Sequence, residues 1–168
     1  MTELFGTDGI RGVAGEYPMT AKIAVKVGQA VAGHFRRRRS RPRVVVGRDT
    51  RLSGGMLESA LAAGLSSRGA DVLLAGVLPT PGVAFLARDL KASAGVVISA
   101  SHNPYQDNGI KIFGGDGFKL SDDDEAKLEA VILENDEPVE LPAGAIGGIT
   151  VLSDAAPRYA DFLASAVP

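Results

Sequence analysis

Between Val44 and Leu74 the chain carries the alternation that most narrows its choice of fold. Val44-Val45-Val46 is a short β-branched run, Met56 to Arg68 places Leu57, Leu61 and Leu65 at helical spacing, and Val72-Leu73-Leu74 is apolar again. Runs of that kind suit buried strands, and a leucine at every fourth position lines one face of a helix. Gly69, just past the last periodic position, marks the helix stop. Strand, helix and strand within about 30 residues make a βαβ unit, whose crossover requires two parallel strands and a right-handed connection. Gly47 to Gly55 is then expected as a loop leaving the C-terminal end of the first strand, with Arg48, Asp49 and Arg51 in it.

A second apolar run, Val96-Val97-Ile98, changes abruptly into Ser99-Ala100-Ser101-His102-Asn103-Pro104. In α/β domains such strand ends collect binding and catalytic groups, because the strand fixes a loop whose side chains are free to face a ligand. If this strand runs parallel to the one at Val44, Ser101 shares an edge with Arg48, Asp49 and Arg51. Pro104 restricts the backbone of Asn103, and Asp107-Asn108-Gly109 predicts a second turn before Ile110-Lys111-Ile112-Phe113 resumes as a strand. Gly114 to Gly117 reads as a hairpin turn that pairs the Lys111 strand antiparallel with Phe118-Lys119-Leu120. The expected fold class is α/β: a three-layer α/β/α domain with a mixed, mostly parallel sheet.

Helices complete the layers. Thr20 is a candidate N-cap for a helix with Ile23, Val27, Val31 and His34 on one face, and Thr80 is read as the cap of another, with Pro81 in its first turn and Val83, Phe85, Leu86 and Leu90 along it. Ser121-Asp122-Asp123-Asp124-Glu125 offers successive carboxylates but lacks a metal-loop spacing. It reads as a capped helix start, with Leu128, Val131 and Ile132 facing the core. Residues 136–150, with Pro138 and Pro142, read as a loop or linker, and Ala156 to Val167 as a helix with Tyr159, Phe162 and Leu163 on one side. The expected organisation is an α/β domain over residues 1–150, then a helix or linker over 151–168.

A length of 168 residues suits one domain, and a net charge of -2 argues for neither a nucleic-acid partner nor an acidic tail. Arg36 to Arg39, with Arg41 and Arg43, is the densest basic cluster. Cations complement a helix C-terminus, and no aromatic residues interleave for base stacking, so a solvated helix end is the better account. With no cysteine, disulfides and thiolate metal sites are excluded. No apolar run approaches the roughly 18 residues of a membrane span. A cytoplasmic protein with no nucleic-acid or membrane partner is expected.

Ser101, between Ala100 and His102, is the best nucleophile candidate, although a serine in a polar loop is commonly a turn former. Gly6, Gly9, Gly12 and Gly15 surround Asp8 and Arg11 in a segment read as a loop, either one able to cradle an anion or a flexible entry loop with one surface arginine. Three stretches resemble the α-D-phosphohexomutases: Phe5-Gly6-Thr7-Asp8-Gly9-Ile10-Arg11-Gly12, Val46-Gly47-Arg48-Asp49-Thr50-Arg51-Leu52-Ser53-Gly54, and Ser99 to Pro104 followed by Asp107-Asn108-Gly109-Ile110-Lys111. They occur in the family's order, and the wording is nearest the bacterial branch that acts on amino sugars.

The resemblance implies a phosphoserine at Ser101 that gives its phosphate to a hexose monophosphate, passes through a hexosamine bisphosphate and takes back the other phosphate. It implies Mg2+ bound through the Ser101 phosphate, Lys111 and His102 in proton transfer or charge balance, and Arg11, Asn103 and Lys111 as phosphate or substrate contacts. It also implies a phosphosugar substrate and association as a homodimer. The family's aspartate-rich metal loop and sugar-selecting loops are not in this sequence. The chain is therefore expected to be the first domain of a longer mutase and inactive alone. A mutase for another hexose phosphate and a noncatalytic phosphate-binding or dimerisation module are the alternatives.

Overall fold

A computed structural model of the chain describes residues 4–38, 40–134 and 141–166. The sheet is built from β1 (Ile10–Val13), β2 (Arg43–Arg48), β3 (Asp71–Val77), β4 (Ala94–Ile98), β5 (Asp107–Gly114) and β6 (Ile149–Val151). The helices are α1 (Ala21–Arg36), α2 (Gly54–Ser67), α3 (Thr80–Asp89), α4 (Asp122–Glu134) and α5 (Ala155–Ala166). Strand order is β1-β5-β4-β2-β3-β6. The pairs β4–β2, β2–β3 and β3–β6 are parallel, while β5 runs antiparallel to both β4 and β1. The sheet is mixed and mostly parallel.

Two apolar clusters flank it. Val44 and Val46, Ala94, Val96 and Ile98 pack against leucines and valines of α1, α2 and α4. Val45, Val97 and Phe113 face the other way, against Val83 and Leu86 of α3, with Ala155 and Tyr159 of α5. Alternation along each strand therefore feeds two cores, the physical content of a three-layer α/β/α domain. Thr20 caps α1, its Oγ1 accepting from the Ile23 amide at 3.3 Å, and Ser121 caps α4 through the Asp124 amide at 3.2 Å. Gly28 of α1 and Gly64 of α2 let the two helix backbones touch, since a Cβ on either would strike the other helix.

Several expectations need correction. Residues 10–13 are a strand, not loop, and Asp107-Asn108-Gly109 belongs to β5: Arg11 pairs with Gly109 and Val13 with Asp107. Turn propensity yields there to a ladder on which the antiparallel edge closes. Gly47 and Arg48 remain in β2. Phe118-Lys119-Leu120 is not a strand; the turn forms, but only an isolated bridge joins Phe113 to Lys119. Thr80 is the first helical residue, and Pro79, which has no side-chain donor or acceptor, occupies the cap position. On α4, Val131 is exposed, and Glu125 and Glu129 are buried beside Leu128 and Ile132. Glu129 Oε2 accepts from the Leu4 and Phe5 amides, each at 2.9 Å, and Glu125 accepts from Lys119 at 2.8 Å.

Within 136–150, Ile149 begins β6, which extends the parallel edge beside β3. The Phe162 ring of α5 stacks on Phe85 of α3 at 4.4 Å between centroids. In the basic cluster, Arg41 pairs with Asp71 at 2.9 Å and Arg43 donates to the Leu90 carbonyl at 2.7 Å. Arg39, Pro138 and the Val167 end of the last helix lie outside the described residues. Among the described residues no helix is long and apolar enough to cross a membrane.

Candidate active site

Because β2 and β4 are adjacent and parallel, the loops after them leave the same edge of the sheet. The Asp49 amide donates to the Ile98 carbonyl at 3.0 Å, which ties the two loop roots together. Asp49, Thr50, Arg51, Leu52, Ser101, Asn103 and Tyr105 line a cleft of about 500 Å³. A neighbouring cleft of about 420 Å³ is lined by the Leu4–Gly9 segment and Arg11. Arg11 joins them, donating from Nη1 to Asn103 Oδ1 at 3.2 Å. A roomier cleft of about 590 Å³, at Gly114, Phe118 and Lys119, opens at the opposite end of the strands, away from Ser101.

Ser101 is exposed and sits at φ 57°, in the left-handed region that serine seldom adopts. Its Oγ lies 3.4 Å from His102 Nδ1, and its amide donates to Ser99 Oγ at 3.1 Å. Asn103 donates from Nδ2 to Asp107 Oδ2 at 3.0 Å while accepting from Arg11. Gly109, facing Arg11 in the ladder, has no room for a Cβ, which would lie 2.7 Å from the Ser99 carbonyl oxygen. That close approach is what brings the root of the serine loop down onto β1 and β5.

Lys111, on β5, donates to Asp8 Oδ1 at 3.0 Å, and Arg11 lies 3.5 Å from the other carboxylate oxygen. One carboxylate thus spaces two cations at the mouth of the second cleft. The Lys111 hydrogen bond and charge, and then the Arg11 charge, hold the Asp8 carboxyl below the usual carboxylate range. Arg11 Nε is buried without a hydrogen-bond partner, leaving one donor of the fork uncommitted.

All five sequence-derived candidates, Ser101, His102, Asn103, Arg11 and Lys111, therefore emerge at one edge. Ser101 and His102 are adjacent, and Arg11 is joined to Asn103 and, through Asp8, to Lys111. Two further residues carry the geometry. Asp8 was visible only as part of a glycine-rich stretch. Arg51 lies on the edge that the βαβ pattern predicts for it, and the sequence alone assigns it no role. Its guanidinium donates to the carbonyls of Ser101 at 3.2 Å, Asn103 at 2.8 Å and Asp107 at 3.0 Å, and to that of Pro104. Asp49-Thr50-Arg51 at a strand end was the available signal, and alone it looks like any solvated loop.

Among the described residues no three His, Asp or Glu side chains converge to hold a metal ion.

Fold and site together define an α/β/α domain that presents a serine hydroxyl among cations, as suits phosphoryl chemistry. A family model described as "Phosphoglucomutase/phosphomannomutase, alpha/beta/alpha domain I" matches residues 2–139, and the chain belongs to that family. The phosphoglucosamine mutase of Syntrophus aciditrophicus (strain SB) is 53% identical over 169 residues, covering 100% of this chain and 38% of that protein. That of Deinococcus deserti is 56% identical over 164 residues, covering 98% and 37%. A crystal structure of a phosphoglucomutase/phosphomannomutase family protein from Burkholderia thailandensis matches with a TM-score of 0.81 at 29% identity, covering 97% of this chain and 35% of that one. The chain thus spans less than two-fifths of the length of these relatives.

Proposed function

We propose that this chain is the serine-bearing first domain of a phosphoglucosamine mutase, which interconverts glucosamine 6-phosphate and glucosamine 1-phosphate through a phosphoserine and a bisphosphate intermediate. The observation that carries the reading is the exposed Ser101 hydroxyl, lining a cleft beside His102 and Asn103, with Arg11 bonded to Asn103. Residues 151–168 then lead towards a second domain, and the 168-residue chain alone has no turnover.

In the proposed reaction the bond from phosphorus to Ser101 Oγ breaks as one forms to the sugar hydroxyl. The hydroxyl proton ends on the serine oxygen, relayed through His102 or Lys111. After the bisphosphate turns round, the same steps run in reverse with the other phosphate. Arg11 and Lys111 offset charge on the moving oxygens, as such a transfer chiefly requires alignment and neutralisation. Asp8 keeps these two cations apart and oriented. Mg2+, when bound, would take oxygens from the Ser101 phosphate, with its other ligands outside this chain, and would supply further charge neutralisation there.

The identities to phosphoglucosamine mutases favour an amino sugar. The broader phosphoglucomutase/phosphomannomutase family name keeps a second sugar in play, and product analysis on the complete protein separates the two. A cytoplasmic location and a homodimer accompany this reading; sedimentation showing only monomer at high concentration would remove the dimer.

The test of function is Ser101→Ala in the complete gene product. Turnover of glucosamine 6-phosphate should disappear, and top-down mass spectrometry should show the wild-type phosphate on Ser101 missing from the variant. Full turnover in the variant would remove Ser101 as the phosphoryl carrier, whereas a wild type with neither turnover nor a phosphate on Ser101 would support a noncatalytic phosphate-binding or dimerisation module.

A further inference from the structure

Arg51 has no part in the chemistry proposed above, yet its guanidinium makes more hydrogen bonds to the serine loop than any other side chain among the described residues. Its side chain is 10% exposed. It belongs to the loop after β2, and its acceptors run from Ser101 in the loop after β4 to Asp107 at the start of β5. Asp49 holds the fork from behind, accepting from Arg51 Nε at 2.9 Å and from the Arg51 amide at 3.0 Å. Asp49 is itself fixed to β4 through the Ile98 carbonyl. The register of two central parallel strands is thereby carried, through one carboxylate and one guanidinium, into the conformation of the serine loop.

We propose that Arg51 is the positioning residue for Ser101, gathering the carbonyls of residues 101, 103, 104 and 107 on one side of the loop so that the Ser101 hydroxyl is turned into the cleft. The inference rests on the reading of Ser101 as the phosphoryl carrier. A serine at φ 57° occupies a conformation that persists only where the surroundings over-determine it. The Arg51 fork is the over-determining group. Five N–H donors in a rigid plane can satisfy several carbonyls together with a carboxylate, whereas a lysine ammonium is a compact point charge that cannot span them. Turning the carbonyls inward also keeps their negative ends away from a phosphate on Ser101.

The experiment compares Arg51→Ala and Arg51→Lys with wild type in the complete gene product. Steady-state turnover of glucosamine 6-phosphate, amide hydrogen exchange and thermal unfolding are measured on the same samples. Arg51→Ala should lower kcat by about 100-fold, the loss expected of a reacting group displaced by about 1 Å, with KM changed by less than about 3-fold because the guanidinium donors are already committed to Asp49 and the loop carbonyls. Exchange should accelerate at residues 99–107 and stay unchanged in β2 and β4. Arg51→Lys should resemble Arg51→Ala, because charge without the fork does not restore the four carbonyl contacts.

Unchanged exchange in the loop would overturn the proposal, as would wild-type kcat in Arg51→Lys. A loss of turnover no larger than the loss of folded protein would also overturn it. If wild type turns over no hexose phosphate, the mutase reading fails, and loop exchange alone decides whether Arg51 holds Ser101 in place.

Discussion

The contact between α1 and α2 makes a sharp prediction, because it runs through glycine on both sides. A Cβ on Gly64 would lie 2.9 Å from the Val25 carbonyl carbon, and closer still to its oxygen, where ordinary contact begins at 3.4 Å. The obstruction is helix backbone and cannot swing aside, so Gly64→Ala must push the helices apart by at least about 0.5 Å, enough to forfeit about a quarter of each dispersion contact along the seam. Overpacking of this kind costs about 1–3 kcal/mol, against a helix-propensity gain of about 1 kcal/mol. With a rigid obstacle the upper end applies, leaving about 2 kcal/mol of net destabilisation, or a Tm lower by about 4–8 °C for a domain of this size. Gly33, on the same α1, has nothing within 4 Å of its Cβ position. Gly33→Ala should therefore raise the Tm by up to about 4 °C, since propensity acts there unopposed. Thermal unfolding followed by far-ultraviolet circular dichroism measures both variants. A shift of the same sign for the two would refute the close-approach account of Gly64.

Three other outcomes follow from particular contacts. Glu129→Ala leaves the buried Leu4 and Phe5 amides without their carboxylate; urea unfolding should show a loss of about 2 kcal/mol, with faster amide exchange at both residues, and a change under about 0.5 kcal/mol would contradict it. Asp8 has a folded pKa depressed below its ordinary 3.8 by Lys111 and then Arg11, so its ion pairs are intact above that value and are lost only as pH falls through the lower folded one. Carboxyl carbon NMR should find the midpoint below 3.8, and Lys111→Gln should move it upward; a wild-type midpoint at or above 3.8 would remove the bridge between the two cations. His34 is pushed below its ordinary 6.5 mainly by burial, with Asp124 opposing and Arg38 and other nearby cations reinforcing. The unfolded chain therefore takes up this proton first, and stability should decline as pH falls through 6.5. His34→Gln should flatten that slope between pH 7.5 and 5.5, and an unchanged slope would place its origin elsewhere.

Local pattern determined much of the molecule by itself. The β-branched runs at Val44 and Val96, the leucine spacing of α2, the Thr20 and Ser121 caps and the polar break after Ile98 are short-range features, and each became the expected element. The candidate residues were legible for the same reason, since a strand running into Ser99-Ala100-Ser101-His102-Asn103 is one continuous stretch of chain.

Tertiary structure decided what depends on partners far away. Ile10–Val13 looked like a glycine loop and is a strand only because β5 is there to pair with it, and the same pairing overrode the turn propensity of Asp107-Asn108-Gly109. Glu129 enters the core because two amides 125 and 124 residues distant meet it there. The Asp8 carboxylate reaches Lys111 across 103 residues, and Arg51 reaches the carbonyls of the serine loop across 50–56. Propensity and periodicity act within a turn or two of chain, whereas these contacts exist only once the strand order β1-β5-β4-β2 brings the loops to one edge. The nucleophile candidate could be read along the chain, but the groups that hold it in place could be read only across the sheet.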